Sequence, residues 1–275
     1  MVGPSGVSRQ PSAEPDSVVH ERTGRVGYIT INRPPLNILS IGTFEMLEAA
    51  LESLSRGEGV DIVVLRSAGE RAFSAGAEVA DHIPERAPAM LAAFHRVARR
   101  LLSMDAVSVA AVKGLALGGG MELALCCDII LASEDAQFGQ PEILLGSFPP
   151  IAAALLPLCV GRHHAADIVL TARRLSAFEA LALGLASRVA PAADFERELG
   201  RLIDSLRAGS GPVMRLAVKA LRGTRAAELS AALAANEKIY VDELLGLDDA
   251  REGVEAFLQK RKPRWKGAHK ETPER

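Results

Sequence analysis

Cysteine, long apolar runs and aromatic residues are all scarce in this chain of 275 residues. The three cysteines, Cys126, Cys127 and Cys159, are odd in number and form no CxxC motif, which excludes a secreted disulfide scaffold. We expect Cys126 and Cys127 to be core residues in a reducing cytoplasm. No segment reaches the ~18 consecutive apolar residues of a membrane-spanning helix, so no membrane partner is expected.

Neither sign of charge is in excess, because 32 Lys and Arg oppose 34 Asp and Glu and leave a formal net charge of −2. Such a balance provides no overall positive field that would attract nucleic acid, and an aromatic share of 4% argues against a binding face of aromatic and basic side chains. We therefore expect no nucleic-acid partner. No HExxH, CxxC or paired His–carboxylate motif of a metal site is present, so we expect no metal. The glycines of 114–120 do not follow the GxGxxG order of a dinucleotide site.

What the sequence does have is a large apolar fraction, 48%, in alternating strand and helix patterns. Apolar, β-branched stretches predict strands at 26–32, 60–66, 107–112 and 129–132, and helical spacing predicts intervening helices at 41–56 and 90–102. Beyond residue 161 the predicted helices are 162–171, 176–183, 193–207, 212–222, 226–245 and 249–261. The alternation indicates an α/β fold with a largely parallel sheet and a mostly helical last third.

Composition divides the chain into four parts. Residues 1–17 are rich in Pro, Ser and Gly, without the apolar core of a signal peptide, and predict a disordered leader. We place the α/β core at 18–200, a helical C-terminal region at 201–266 and a flexible tail at 267–275. The segment 226–245 is apolar on more than one face, which predicts burial against another helix or another subunit.

Two carboxylates lie in otherwise apolar sequence and are the strongest catalytic candidates. Glu122 follows three glycines in the first turn of a predicted buried helix, and Glu142 stands between Pro141 and an apolar run. Burying a carboxylate is costly unless it has a partner or a function. Two that face each other shift each other's pKa, so that one is an acid and the other a base, as water addition to an activated double bond requires. The alternative is structural: a helix-start glutamate and an ion pair.

Two glycine-containing loops are candidates for polarising a carbonyl group. AFSAGAEV, residues 72–79, follows a predicted strand, where ligands of parallel sheets bind, and Gly118 to Gly120 form the second loop. One backbone N–H from each would make an oxyanion hole, although each loop alone is equally consistent with a tight turn. For His82, His95, His163 and His164 we expect helix-end or surface roles, with His82 close enough to the first loop to reach a pocket.

The segments AVKGLALGGGMELALCCDIILASEDAQFGQPEILLG (111–146), AFSAGAEV (72–79) and EGVEAFLQKRKPRW (252–265) together resemble the crotonase superfamily, specifically the enoyl-CoA hydratase/isomerase family. The resemblance covers roughly residues 19–266. It implies a spiral of ββα units, a helical C-terminal region used for trimerisation, and a homotrimer or homohexamer. It also implies an acyl-CoA thioester substrate, with coenzyme A part of that substrate and no separate cofactor.

The resemblance also assigns roles to residues. It implies that Glu122 and Glu142 are the acid and base in the syn addition of water to an enoyl-CoA, while the backbone N–H groups of Ala77 and Gly119 hold the thioester oxygen. The residues that it implies for substrate binding are Ala75, Glu78 and Val79 in the CoA-binding loop and Phe257 and Lys260 near the CoA nucleotide. Both glutamates are kept, which favours a hydratase over an isomerase that shifts the double bond. A CoA- or RNA-binding scaffold without turnover is a further alternative, and the near-neutral charge weighs against its RNA-binding form.

The chain departs from the short-chain hydratases after the second glutamate. Phe148-Pro149-Pro150 stands where those enzymes have PGAGG, which adds bulk and stiffness beside the reacting carbon. FPP, NRPPLN (32–37) and AEVADHIPE (77–85) are more similar to cyclohexa-1,5-diene-1-carbonyl-CoA hydratases. This likeness suggests a cyclic dienoyl substrate in place of a fatty-acid one.

Overall fold

The computed structural model describes residues 17–56, 59–223 and 225–266. The strands are β1 (Val18–Thr23), β2 (Val26–Ile31), β3 (Ile62–Ser67), β4 (Ala72–Ser74), β5 (Val107–Val112), β6 (Leu115–Leu117), β7 (Ile129–Ser133), β8 (Gln137–Gly139), β9 (Arg174–Ser176) and β10 (Arg188–Ala190). The helices are α1 (Ile41–Arg56), α2 (Ala87–Ser103), α3 (Gly119–Leu125), α4 (Pro150–Val160), α5 (Arg162–Thr171), α6 (Ala177–Ala182), α7 (Phe195–Arg207), α8 (Gly211–Arg222), α9 (Arg225–Lys238) and α10 (Asp248–Leu258). A π-helical turn, Ile239–Glu243, follows α9, and 3₁₀ turns form at Val79–His82 and Glu142–Leu145.

Two strands and a helix repeat four times along the first part of the chain, from β1-β2-α1 to β7-β8-α4. One sheet has the order β1-β2-β3-β5-β7-β10 and is parallel apart from the β1–β2 pair. The other has the order β4-β6-β8-β9, with only β8–β9 antiparallel. In the last three repeats the first strand joins the larger sheet and the second joins the smaller one. This is the expected α/β spiral of ββα units.

The larger sheet is apolar on both faces, as the uninterrupted apolar strands predict. Along β3, Val63 and Leu65 pack into the core beneath α1 and α2, whereas Ile62 and Val64 pack on the opposite face against residues of α7 such as Phe195. Alternate side chains of a strand point to opposite faces, so one strand contributes to both layers. The sheet therefore lies between two helical layers, and its strand ends are fixed from both sides.

The longer predicted elements are confirmed. The strands at 26–32, 60–66, 107–112 and 129–132 are β2, β3, β5 and β7, and the helix at 162–171 coincides with α5. The predicted helix at 226–245 is α9 with the π turn and a 3₁₀ turn after it, and α9 packs on α4 and α2. The sequence patterns missed β1, the three-residue strands and α4.

Individual predictions have mixed outcomes. Cys126 is buried and Cys127 packs against the core, as expected, and His163 and His164 are exposed. The expectation for His95 is wrong: it is fully buried on α2, because the Glu237 carboxylate of α9 lies 2.7 Å from its Nδ1. Residues 1–16 of the predicted leader and the tail 267–275 lie outside the described residues.

Ser17, the last residue assigned to the leader, is buried, and its carbonyl accepts a 2.8 Å hydrogen bond from the Asn32 N–H. In the ranges that the structure describes, no helix has the length and apolar character to cross a membrane. Across the same ranges, no group of three His, Cys, Asp or Glu side chains has the geometry to hold a metal ion.

Candidate active site

A cavity of about 310 Å³ opens where the turns of the spiral meet the C-terminal helices. Its walls come from the loop after β4, the start of α3, the segment between β8 and α4, the π turn and α10. The predicted site residues that line it are Ala75, Ala77, Val79, Gly119, Glu122, Glu142 and Phe257. The structure therefore brings both glutamates and both candidate N–H donors to one place.

The loop after β4 is held so that the N–H of Ala77 is available. Leu39 donates its N–H to the carbonyl of Gly76 at 3.0 Å and accepts from the N–H of Glu78 at 2.9 Å, so Ala77 itself faces away from Leu39. Gly119 is the first residue of α3, and the opening N–H groups of a helix have no partner within it. A Cβ added to Gly119 would lie 3.3 Å from the Ala77 nitrogen, which shows how closely the two backbones approach.

Glu122 is fixed by the N-terminus of the next helix. It is 3% exposed, and its Oε1 accepts hydrogen bonds from the N–H groups of Ile151 and Ala152, each at 2.8 Å. Both donors belong to the first turn of α4, where N–H groups lack helical acceptors and the helix dipole favours negative charge. The short helix α3, which begins with glycine, thus positions Glu122 at the N-terminus of α4.

Glu142 enters the cavity from the 3₁₀ turn that follows β8. It is 8% exposed, and Gly118 packs so closely on it that a Cβ there would lie 2.5 Å from Oε1. In the side-chain orientation that matches donors to acceptors, the amide nitrogen of the buried Gln140 donates to both carboxylate oxygens, at 3.1 and 3.2 Å. The close packing of Gly118 and the side-chain amide of Gln140 therefore set the position of this carboxyl group.

Burial raises the pKa of both carboxyl groups. It raises the pKa of Glu122 to about 7, although the N–H groups of Ala152 and Ile151 oppose the shift by stabilising the anion. Burial, and then the charge of Glu122, raise the pKa of Glu142 well above its usual value. Because the pKa of Glu142 is raised well above its usual value and that of Glu122 to about 7, Glu142 is the group that retains a proton near neutral pH and Glu122 is partly ionised. One acid and one base are what a proton-transfer reaction at carbon needs.

Two predicted binding residues lie outside this cavity. Glu78 lines a neighbouring cavity of about 510 Å³ together with Ser17, Asn32, Arg33, Pro34, Pro35, Leu36 and Ile38. Lys260 is exposed just after α10 and lines neither cavity. The adjacent Arg261 does line the active-site cavity and is held there by both carboxylate oxygens of Glu252.

Sequence reasoning missed Gln140 and Tyr240. Gln140 is two residues before Glu142. Because a buried carboxylate needs a hydrogen-bond donor nearby, this closeness in sequence could have indicated its role. Tyr240 is buried and lines the cavity from the π turn, and no local pattern distinguishes it from a core residue. His82 lines the cavity at the end of a 3₁₀ turn, where its Nδ1 lies 3.0 Å from the carbonyl oxygen of Glu78.

Comparison with known proteins identifies the family to which this chain is related. The sequence profile of the enoyl-CoA hydratase/isomerase family matches residues 21–268. A protein of Rhizobium meliloti named probable enoyl-CoA hydratase is 37% identical, over 91% of this chain and 98% of its own length. Cyclohexa-1,5-dienecarbonyl-CoA hydratase of Thauera aromatica is 34% identical, over 92% of this chain and 98% of its own length.

A solved structure shows the same fold. The enoyl-CoA hydratase of Mycobacterium avium subsp. paratuberculosis K-10 superposes with a TM-score of 0.82 and 33% identity, over 90% of this chain and 98% of that one. The fold and site define an enzyme of the crotonase superfamily. The chain belongs to the enoyl-CoA hydratase/isomerase family.

Proposed function

We propose that this enzyme adds water to the double bond of an α,β-unsaturated acyl-CoA thioester and catalyses the reverse dehydration. The observation that carries the proposal is the pair of buried carboxyl groups in one largely apolar cavity, each held by different partners and both with raised pKa values. An enzyme that needed only one proton-transfer group would have no use for the second buried carboxyl group, which destabilises the fold.

The geometry supports a direct mechanism. The thioester oxygen accepts hydrogen bonds from the N–H groups of Ala77 and Gly119, which stabilise the negative charge that develops on it. Ionised Glu122 takes a proton from water as the water oxygen bonds to the β-carbon. The electrons of the double bond move toward the thioester, and protonated Glu142 gives its proton to the α-carbon.

The substrate is proposed to be a compact and partly cyclic acyl group, such as a cyclic dienoyl thioester. Phe148, Pro149 and Pro150 line the cavity beside the carboxyl groups, and two prolines make this wall stiff. The similarity to the Thauera aromatica protein supports the same proposal. At the other end of the cavity, we propose that the CoA portion contacts Phe257 and Arg261, whose guanidinium is already oriented by its ion pair with Glu252.

The test is a panel of linear and cyclic enoyl- and dienoyl-CoA thioesters, followed by loss of ultraviolet absorbance and by mass. A hydration product is heavier by one water, whereas an isomerisation product has unchanged mass. We expect Glu122→Gln and Glu142→Gln each to lose at least about 10²-fold in rate, because each removes a proton-transfer group. Glu45→Gln, on the exposed face of α1, is the matched control. Active-site variants as fast as the control would overturn the assigned roles.

We also propose that the chain assembles as a homotrimer or homohexamer. Large apolar side chains are exposed on α4 and on the helices that follow it, among them Leu158, Leu170, Phe178 and Leu216. Exposed apolar surface of this kind is typical of an interface. Light scattering coupled to size exclusion measures the mass directly, and a monomer at micromolar concentration would contradict the proposal.

A further inference from the structure

Tyr240 lies in the wall of the active-site cavity, although the mechanism above does not use it. Its side chain is 2% exposed, and its ring packs on Phe148 with centroids 5.4 Å apart and planes tilted by 50°. It belongs to the π-helical turn after α9, a local irregularity that is frequent at functional sites. A regular helix would place this side chain at a different angle.

The end of α9 is fixed on two sides, which fixes Tyr240 in turn. Asn236 donates its side-chain N–H to the carbonyl of Pro150 at 2.9 Å, at the start of the helix that holds Glu122. Glu237 lies 2.7 Å from the buried His95 on α2. The start of α4, which positions the proposed catalytic base Glu122, therefore also fixes the helix that leads into Tyr240.

The phenol oxygen has one protein partner, and the geometry of that bond leaves its proton available. Ser147 donates its hydroxyl hydrogen to the Tyr240 oxygen at 2.8 Å. The backbone N–H of Ser147 donates to the carbonyl of Glu142 at 3.0 Å, which ties the pair to the second carboxyl group. Across the described ranges no side chain or carbonyl accepts the Tyr240 proton, which leaves it free to be donated to a ligand in the cavity that Tyr240 lines.

The other polar side chains of the wall, apart from the catalytic carboxyl groups, are already engaged. Arg261 pairs with Glu252, and the Nδ1 of His82 bonds to the carbonyl of Glu78. Burial, together with the negative charges of Glu142 and Glu122, raises the pKa of Tyr240 to about 12. The phenol is consequently a neutral donor at any working pH, close enough to both carboxyl groups to feel their charge.

We propose that Tyr240, oriented by Ser147, donates a hydrogen bond to the oxygen atom that the reaction adds or removes, which is water in hydration and the β-hydroxyl group in dehydration. This inference rests on the proposed hydratase function. The oxygen then has a donor in Tyr240 and an acceptor in Glu122, which directs a lone pair at the β-carbon. The tyrosine keeps its own proton throughout, and the proton transfers remain those of the two glutamates.

The decisive comparison separates the two halves of the reaction. Exchange of the α-proton of a saturated acyl-CoA with deuterated water needs the carboxyl groups and the oxyanion hole but no added oxygen. We expect Tyr240→Phe to lower kcat for hydration by about 10²-fold, the effect of losing one well-placed donor, with KM within roughly threefold. The α-proton exchange rate, read by mass, should stay within about threefold of the wild-type rate, because the ring still packs on Phe148.

Two further variants test the role of Ser147 and control for loss of a tyrosine hydroxyl elsewhere. Ser147→Ala leaves the phenol proton but removes its orientation, so we expect a smaller loss of kcat, about tenfold. Tyr28→Phe removes the hydroxyl of the other tyrosine, on β2 outside the cavity, and should change neither reaction. Thermal melting of all three variants shows whether they fold.

The outcomes separate this inference from the function on which it rests. Wild-type protein that hydrates none of the thioesters would refute the hydratase proposal, and the role of Tyr240 with it. If wild type hydrates but Tyr240→Phe is equally fast, only the inference fails. Parallel loss of hydration and α-proton exchange in Tyr240→Phe would show a structural role and would also overturn it.

Discussion

Replacing Gly118 by alanine tests whether the position of Glu142 controls the reaction. Gly118 has φ 51° and ψ −126°, a combination that residues with a Cβ rarely adopt and that costs roughly 1–3 kcal/mol when forced. The new Cβ would lie 2.5 Å from Oε1 of Glu142, where ordinary contact begins near 3.4 Å, so the carboxyl group must retreat by roughly 0.9 Å. A displacement of about 1 Å in a catalytic group costs on the order of 10²-fold in rate.

Gly161→Ala is the matched control, because it has the backbone effect without the displacement. Gly161 has φ 78° and ψ 158°, also a region for glycine, and a Cβ there would meet no atom within 4 Å. We expect both variants to lose a similar 1–3 kcal/mol in guanidinium unfolding and only Gly118→Ala to lose about 10²-fold in kcat/KM for enoyl-CoA hydration. Equal kcat/KM values for the two variants would refute the argument.

Three other predictions follow from charges and ion pairs. Because Glu122 must be ionised and its pKa is raised to about 7, kcat/KM for hydration should fall about tenfold per pH unit below 7, and a pH profile that is flat from 5 to 8 would contradict this. The same raised pKa means that the folded chain loses stability as pH rises from the unfolded pKa of about 4.5 to about 7. Denaturant unfolding should therefore show Glu122→Gln to be more stable than wild type at pH 8, by up to about 3 kcal/mol in the free energy of unfolding, with no gain near pH 4. Asp61 is 3% exposed and pairs with Arg25 and Arg215, which are about one-third exposed. Asp61→Asn should therefore lower the free energy of unfolding by about 2–3 kcal/mol and leave kcat unchanged, and a melting curve like that of wild type would show that the pairs contribute little.

The chemistry of the site was predictable from sequence to the extent that it depends on local context. Glu122 and Glu142 are conspicuous because a carboxylate in apolar sequence needs an explanation, and the glycines beside Glu122 are adjacent to it along the chain. Their meeting in one cavity rests on four turns of the spiral, which local periodicity does not encode. The family resemblance supplied that step.

What escaped prediction depends on partners far apart in sequence. His95 has the position of a surface histidine on an amphipathic helix, but its partner Glu237 is 142 residues away. The strands of the smaller sheet are three residues long, too short for an alternation to be recognised. Tyr240 is one apolar position among many in the predicted helix 226–245, and only the π turn and Ser147 give it a distinct role.

The stretch from Phe148 to Ala152 has a consequence for how this enzyme can diverge. Its first three residues shape the wall against the acyl group, and its last two supply the N–H groups that hold Glu122. In the proposed mechanism, one turn of backbone therefore sets both the substrate range and the strength of Glu122 as a base. Mutations that open the wall for a larger acyl group will also move the pH at which the enzyme works, so selection for a new substrate acts on both traits at once.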